Sequence, residues 1–510
     1  MKKIKYLSLV LASLGFIACD VDNTLDEIPA VVVEEVAATA GSADFSNYVS
    51  VGASFTAGFT DGALFKASQE NSFPNIISKK FAMAGGGSFT QPLMADNIGG
   101  LTIGATVIQG PRLYFNGAGP APLPATPTTD ILNNVSGGLN NFGVPGAKSF
   151  HFVAPGYGNV AGVLPGLANP YFVRMASSAG TTVIADVLSA SPTFFTLSEI
   201  GGNDVLSYAL KGGSGVDQTG NLNPATYGST DITDPNVFAS VYSGMVDALT
   251  SGGAKGVVAT LPYITTLPHF TTIPYNPVPM DAATAGAVNA GFAPYNGGLQ
   301  AAAAALAGTG LFTAEEVAKR TITFTAGQNA VVIVDESLTD LGAINPAFAG
   351  IPKYRQATAE DLIVLPASSF IGTKVNNDPR YINGVTVPLA DNWVLTPQEQ
   401  MSIKTATDAY NTTIEAVAAS KGLAIVDFKA ILVAASTTGV QFDGYTMTTS
   451  LVFGGLASLD GIHLTARGYA FMANAFLAAI DATYGSNFME ATNGKAKAAN
   501  YPTNYSPALR

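Results

Sequence analysis

The 510-residue chain holds only three histidines, His151, His269 and His463. His463 lies three positions after Asp460, in Ser458-Leu459-Asp460-Gly461-Ile462-His463-Leu464-Thr465. In a tight loop, that spacing lets the carboxylate accept the imidazole Nδ1 proton and leaves Nε2 free to take a proton from a hydroxyl. Ser54 is a candidate for that hydroxyl. The apolar run Tyr48-Val49-Ser50-Val51-Gly52 ends just before it, and small residues that can open a helix come after it. A strand, a turn and a helix start put Ser54 at the C-terminal end of a first strand, the edge where an open α/β sheet binds ligands. Serine, histidine and aspartate in these roles attack acyl carbons. A lone histidine beside a helix start is more often a cap or a packing residue, so the weight rests on the whole set.

Two further stretches belong to that set. Asn141-Phe142-Gly143-Val144-Pro145-Gly146-Ala147 is a short apolar run broken by glycines. Gly146 can let backbone approach a ligand closely, although alone the stretch reads as a Pro-Gly turn. Residues 193–200 are rich in β-formers and run into Gly201-Gly202-Asn203-Asp204. The glycine pair lets the Asn203 amide turn back over the sheet edge, although alone this too is a plain turn. His151 and His269 have no carboxylate near them in sequence and read as structural or loop residues.

The elements that would position these residues alternate. Asp234 and Pro235 open a helix, and Val237, Val241, Met245, Ala248 and Leu249 follow its period until Gly252-Gly253. Residues 257–261 form the next strand. Thr396-Pro397-Gln398-Glu399 is a capping box with proline at the first helical position. Ile403, Ala406, Tyr410, Ile414 and Val417 share one face, Gly422 caps, and residues 423–427 are an apolar strand ending in an acid. After His463, Thr465 caps a helix with Tyr469, Met472, Phe476 and Ile480 on one face and Gly485 at its end. Strand, helix, strand in this rhythm predicts crossover units and a parallel sheet. Residues 63–140, rich in Gly, Pro, Ala and Thr, and residues 262–395 lack the alternation and read as large insertions. The first contains a helix start at Phe73-Pro74. The second contains an alanine-rich helix near residues 301–306, a capping box at Thr313 and a short strand at 331–334. Residues 486–510 read as a loosely ordered tail.

Four blocks thus occur in order: Gly-x-Ser-x-x-x-Gly after the first strand, Asn-x-Gly-x-x-Gly, Gly-Gly-Asn-Asp, and Asp-x-x-His near the C-terminus. Their contents and succession resemble those of the SGNH (GDSL) hydrolase family, over roughly residues 47–485 with the insertions uncovered. The resemblance implies a three-layer α/β/α sandwich, flavodoxin-like, with a parallel sheet of about five strands. It implies Ser54 as nucleophile, His463 as general base and then acid, and Asp460 as the group orienting His463. The oxyanion hole would be the backbone N–H groups of Ser54 and Gly146 with the Asn203 side-chain amide. No metal and no organic cofactor is implied. Two positions depart from the family pattern: Ala53 stands where an aspartate is usual, and Leu464 where a proline is usual. Competing hydrolase chemistries fit worse. There is no Gly-x-Ser-x-Gly elbow, and no His-Glu-x-x-His for a metallohydrolase.

The N-terminus points to export. Lys2, Lys3 and Lys5 precede an apolar run over residues 6–17, then Ala18 and the chain's single cysteine, Cys19. This reads as a secretory signal over residues 1–18. Phe16-Ile17-Ala18-Cys19 resembles a bacterial lipobox, which makes Cys19 the lipidated first residue of the mature chain; the other reading is an ordinary signal with an incidental cysteine. Residues 19–45, with Asp20, Asp22, Asp26 and Glu27, read as an acidic solvated tether. An acidic patch there resembles the surface-export signal of Bacteroidetes-type lipoproteins, so an outer-membrane or cell-surface location is expected. The net charge is −12 with no long basic run, which argues against nucleic acid as a partner. The expected partner is a small-molecule, lipid or glycan ester. The rival expectation is a non-catalytic surface lipoprotein that keeps the fold and binds a glycan or lipid, supported by Ala53 and the insertions.

Overall fold

A computed structural model describes residues 35–510. The signal segment, Cys19 and most of the acidic tether lie outside the described residues. Five strands, β1 (Tyr48–Gly52), β2 (Asn141–Gly143), β3 (Phe194–Ser198), β4 (Lys255–Ala259) and β5 (Ala424–Val426), form the central sheet. Their order is β5-β4-β3-β1-β2, and every pairing is parallel. This is the doubly wound 2-1-3-4-5 order.

The strands read as near-continuous apolar runs because both faces of the sheet are covered. Alternate side chains go to opposite sides. Val49, Val51, Phe195, Leu197 and Val258 enter one core with Tyr242 and Tyr410. Tyr48, Phe194, Val257 and Ala259 enter the other with Phe73 and Phe476. The helices that build the layers, the site and the larger insertion are α1 (Ser54–Ala57), α2 (Phe73–Phe81), α3 (Val183–Ser189), α4 (Gly202–Ala209), α5 (Pro235–Thr250), α6 (Ala282–Ala305), α7 (Pro397–Lys421), α8 (Phe428–Thr437) and α9 (Ala466–Tyr484). Helices α3, α5 and α7 pack on the first face, and α2 and α9 on the second, which gives three layers. Phe73 of α2 stacks on Phe476 of α9 with ring centroids 4.9 Å apart.

Strand ends differ from the sequence expectation for identifiable reasons. β4 stops at Ala259 rather than 261. Asn411 of α7 accepts the Leu261 N–H at 2.7 Å and donates to the Leu261 carbonyl at 2.9 Å, so that backbone leaves the ladder. β5 stops at Val426 because Asp427 caps α8, accepting the Ala430 N–H. The 262–395 insertion carries α6, short antiparallel ribbons and a core of its own around Phe292, Phe324, Val332 and Ile333. The 63–140 insertion carries two hairpins, Leu101–Ile103 with Thr106–Gln109 and Leu113–Phe115 with Pro120–Pro122.

Two expectations need correction. The tether is docked over its last residues. The Thr39 N–H donates to Asn487 Oδ1 at 2.7 Å and the Ser42 N–H to the Tyr484 carbonyl at 2.8 Å. Phe45 is buried and stacks on Phe81 at 3.9 Å. The 486–510 segment is likewise held. Phe488 and Ala498 are buried, and Tyr505 meets the edge of the Phe65 ring. Buried Arg112 donates from Nη2 to the Ser506 and Leu509 carbonyls at 2.7 and 3.1 Å. These anchors are largely backbone carbonyls, which composition does not reveal.

Deleting residues 506–510 strips two acceptors from the buried Arg112 guanidinium. The expected loss is on the order of 1–3 kcal/mol, read as a lower urea midpoint. An unchanged midpoint would show that the tail contributes nothing there.

Candidate active site

The doubly wound order reverses between β1 and β3, and the C-terminal ends of these neighbours open a crevice there. β1 runs into α1 and β3 leads into α4, so Ser54 and Asn203 both sit at this edge. The turn after β1 requires Gly52. A Cβ there would lie 2.1 Å from Thr56 Oγ1 and 2.6 Å from the Ser198 carbonyl.

The structure brings Ser54 together with Asp460 and His463, about four hundred positions further along the chain. His463 Nε2 lies 2.9 Å from Ser54 Oγ, and His463 Nδ1 lies 2.8 Å from Asp460 Oδ2. The network assigns the proton to Nδ1, which leaves Nε2 to accept from the serine. Ser54 and His463 are 8% and 9% exposed, buried yet reachable. Asp460 also accepts the backbone N–H groups of Ile462 and His463, each at 2.9 Å, and the Ser458 hydroxyl at 3.0 Å. Burial pushes its carboxyl up, but the charge and hydrogen bonds of His463, with the Ile462 N–H, outweigh it. The net result holds Asp460 well below the usual carboxylate range, so it stays ionised. Phe59 and Phe55 flank the imidazole at 4.6 and 5.5 Å between ring centroids.

Sequence reasoning missed two supports of this loop. The first is Asp61-Gly62. In the structure the Gly62 N–H donates to Asp460 Oδ2 at 2.9 Å, and Asp61 Oδ1 accepts the Leu459 N–H at 3.0 Å. Asp61 has φ of 52°, a left-handed conformation that aspartate tolerates better than most residues. His269 is the second. Its N–H donates to the Gly461 carbonyl at 3.0 Å, and its Nδ1 lies 3.3 Å from the Asp460 carbonyl. A Cβ on Gly461 would lie 2.8 Å from the His269 nitrogen. No local pattern could signal these contacts, which join segments about two hundred to four hundred residues apart. His151 lies outside the triad: its Nδ1 accepts the Lys148 N–H at 3.1 Å and its ring stacks on Tyr157.

The expected oxyanion donors are only partly gathered. Asn203 Nδ2 donates to the Ala147 carbonyl at 2.9 Å. That bond fixes the side chain and uses one of its two N–H groups. Ser54 and Asn203 both line one cavity, and Gly146 is outside its lining. Gly146 has φ of 80° and precedes the Ala147 carbonyl that Asn203 grips. The Ser54 and Gly146 N–H groups donate to no backbone acceptor among the described residues. Asp204 fixes the other side of this loop, accepting the Ser149 N–H and hydroxyl at 2.8 and 2.6 Å.

Ala53, directly before the serine, is buried, and Glu199 from the end of β3 reaches the same turn. Glu199 Oε1 accepts the Thr56 N–H of α1 at 2.8 Å. Burial pushes its carboxyl up to about 7, against the hydrogen-bonding groups of Ser198, Thr56 and Ala53. Glu199 has φ of 49°, a strained choice for a residue with a side chain. A carboxyl from the end of β3 thus braces the turn that carries Ser54.

Beside Ser54 and Asn203, the cavity lining includes Ser198, Glu199 and Thr260, and the rest of it is apolar. Leu206, Leu261, Ile264, Leu432, Phe471 and Met472 contribute to its wall. No group of potential metal ligands was found among these residues; the acidic cluster that could hold an ion shares no residue with the site. Comparison with protein-family models, with curated proteins and with solved structures finds no match. The reading of this site therefore rests on its own motifs and geometry.

Glu199 gives a pH test. Its folded pKa is raised, so its contribution is full below about pH 4.5 and is lost as pH rises through about 7. Stability should fall across that window by at most about 1.4 kcal/mol per pH unit for this group. In Glu199→Gln the fall should be shallower, with Asp61, also pushed up to about 7 by burial, supplying part of the remaining slope. Melting temperatures from about pH 5 to pH 8 check this; parallel wild-type and variant curves would refute the assignment.

Proposed function

We propose that the chain is a serine ester hydrolase of the SGNH (GDSL) type that works through an acyl-enzyme. The observation that carries this reading is the continuous Ser54–His463–Asp460 relay, at 2.9 and 2.8 Å, opening on an apolar cavity at the switch point of the sheet. Ser54 Oγ attacks the ester carbonyl carbon while His463 Nε2 takes its proton. Asp460 holds the imidazole in the required tautomer and stabilises the imidazolium. The developing oxyanion takes hydrogen bonds from the Ser54 N–H and the free Asn203 N–H. Each such donor is worth about 3 kcal/mol in the transition state. His463 returns the proton to the leaving alcohol. Water, activated by the same imidazole, then releases the acid and regenerates Ser54.

The cavity wall favours an apolar acyl or alcohol group over a glycan. A buried apolar wall gains about 0.8 kcal/mol for each methylene it covers, whereas a sugar there would leave hydroxyls without partners. We further infer from the N-terminal sequence that the chain is exported and anchored through lipidated Cys19 to the outer membrane. Among the described residues no helix is long and apolar enough to cross a membrane.

A fluorophosphonate probe should label wild type and leave Ser54→Ala unlabelled. A folded wild type that resists the probe would favour the non-catalytic reading. Asp460→Asn should lower kcat by about 10⁴-fold through the wrong tautomer. On an ester panel, kcat/KM should rise from acetyl to longer acyl chains; a preference for acetylated sugars would overturn the lipid-like assignment.

A further inference from the structure

Away from the Ser54 cavity, three carboxylates converge. Glu336 comes from the middle of the 262–395 insertion, Asp391 from its last part, and Glu399, eight positions further on, from the first turn of α7. One oxygen from each lies within 4.8 Å of the other two. Like charges this close repel, and among the described residues no lysine, arginine or histidine forms an ion pair with any of the three. Lys353 donates to the Glu336 backbone carbonyl. Arg355 is taken by Asp335 and Asp361.

The cluster also has open valences. Glu399 is 5% exposed. Its Oε2 accepts the Thr396 N–H and hydroxyl at 2.6 and 2.7 Å, completing the capping box. Its Oε1 is buried with no hydrogen-bond partner, and so is Asp391 Oδ1. The end of the α4 segment is shaped to leave room there: a Cβ on Gly213 would lie 2.3 Å from Glu399 Oε1. A Cβ on Gly212 would lie 2.2 Å from the Asp391 carbonyl. A buried oxygen without a donor is costly, and a cation relieves it.

We propose that Glu336, Asp391 and Glu399 form a site for a hard divalent cation, calcium in preference to magnesium. All three ligands are carboxylate oxygens, which select hard ions over zinc. They come from two stretches of chain, the middle of the insertion and its run into α7, and calcium tolerates such irregular geometry better than magnesium does. The ion would staple the insertion to the start of α7 and to the Gly212-Gly213 turn that ends the α4 segment, the segment that carries Asn203. The site is independent of the ester-hydrolase reading.

Metal-stripped protein melted with calcium chloride should show a saturable rise in Tm of at least about 2 °C, with a smaller rise for magnesium. Asp391→Asn should abolish the rise. In chelator, where repulsion is unrelieved, the same variant should melt at or above wild type; with calcium the order should invert. Glu336→Gln, at the exposed member, repeats the test without touching the capping box. Terbium, a calcium substitute, should show emission sensitised by Trp393, the chain's only tryptophan, two positions from Asp391. Three results would overturn the proposal: no response to calcium or magnesium, a response to zinc alone, or an equal calcium response in wild type and Asp391→Asn.

Discussion

The Asp460 carboxylate is the interaction on which the site depends. It collects five hydrogen bonds, from the Ser458 hydroxyl, the Gly62, Ile462 and His463 amides, and His463 Nδ1. A buried charge is tolerated only when its lone pairs are met. Here the donors that meet them also shape the loop. The same bonds that keep Asp460 ionised fold residues 458–463 into a turn, aim the imidazole, and fasten the Asp61-Gly62 turn beside it. Electrostatics and geometry are therefore one constraint. A change that loosened the turn would also raise the Asp460 pKa and unsettle the histidine tautomer.

The sheet supplies the other half of the geometry. Ser54 follows β1 directly and Asn203 lies one turn beyond β3, so both sit at the C-terminal ends of these paired neighbours. Gly52 lets the backbone pass under Thr56 and against Ser198. Glu199, at the end of β3, takes the Thr56 amide and so binds the β1 turn to the β3 turn. A carboxyl from the neighbouring strand thus braces the turn that carries the serine. The cost is a strained backbone at Glu199 and a raised pKa.

The surrounding segments are held by a different kind of contact. The tail meets Arg112 and Arg467 through backbone carbonyls, and the last part of the tether meets Asn487 and Tyr484. The insertion has its own small core and meets the main body beside the Glu336–Asp391–Glu399 cluster. Small and polar residues dominate these stretches, so their order comes from partners far away in the chain.

The sequence by itself determined the alternation of apolar strands and capped helices, because burial on both faces of a parallel sheet and the satisfaction of helix ends are local demands. Tyr48–Gly52, the Thr396–Glu399 capping box and the Thr465 cap all show it. It also marked Ser54, Asp460 and His463 as residues fit for one chemistry, since Asp-x-x-His in a tight loop is local geometry. Only the tertiary structure decided that Ser54 and His463 meet at 2.9 Å, that Asp61-Gly62 and His269 brace the Asp460 loop, and that Glu199 braces the turn that carries Ser54. It also decided that the tail is docked rather than loose. These contacts join residues far apart in sequence through single hydrogen bonds, and such bonds leave no periodicity or composition for a linear reading to find.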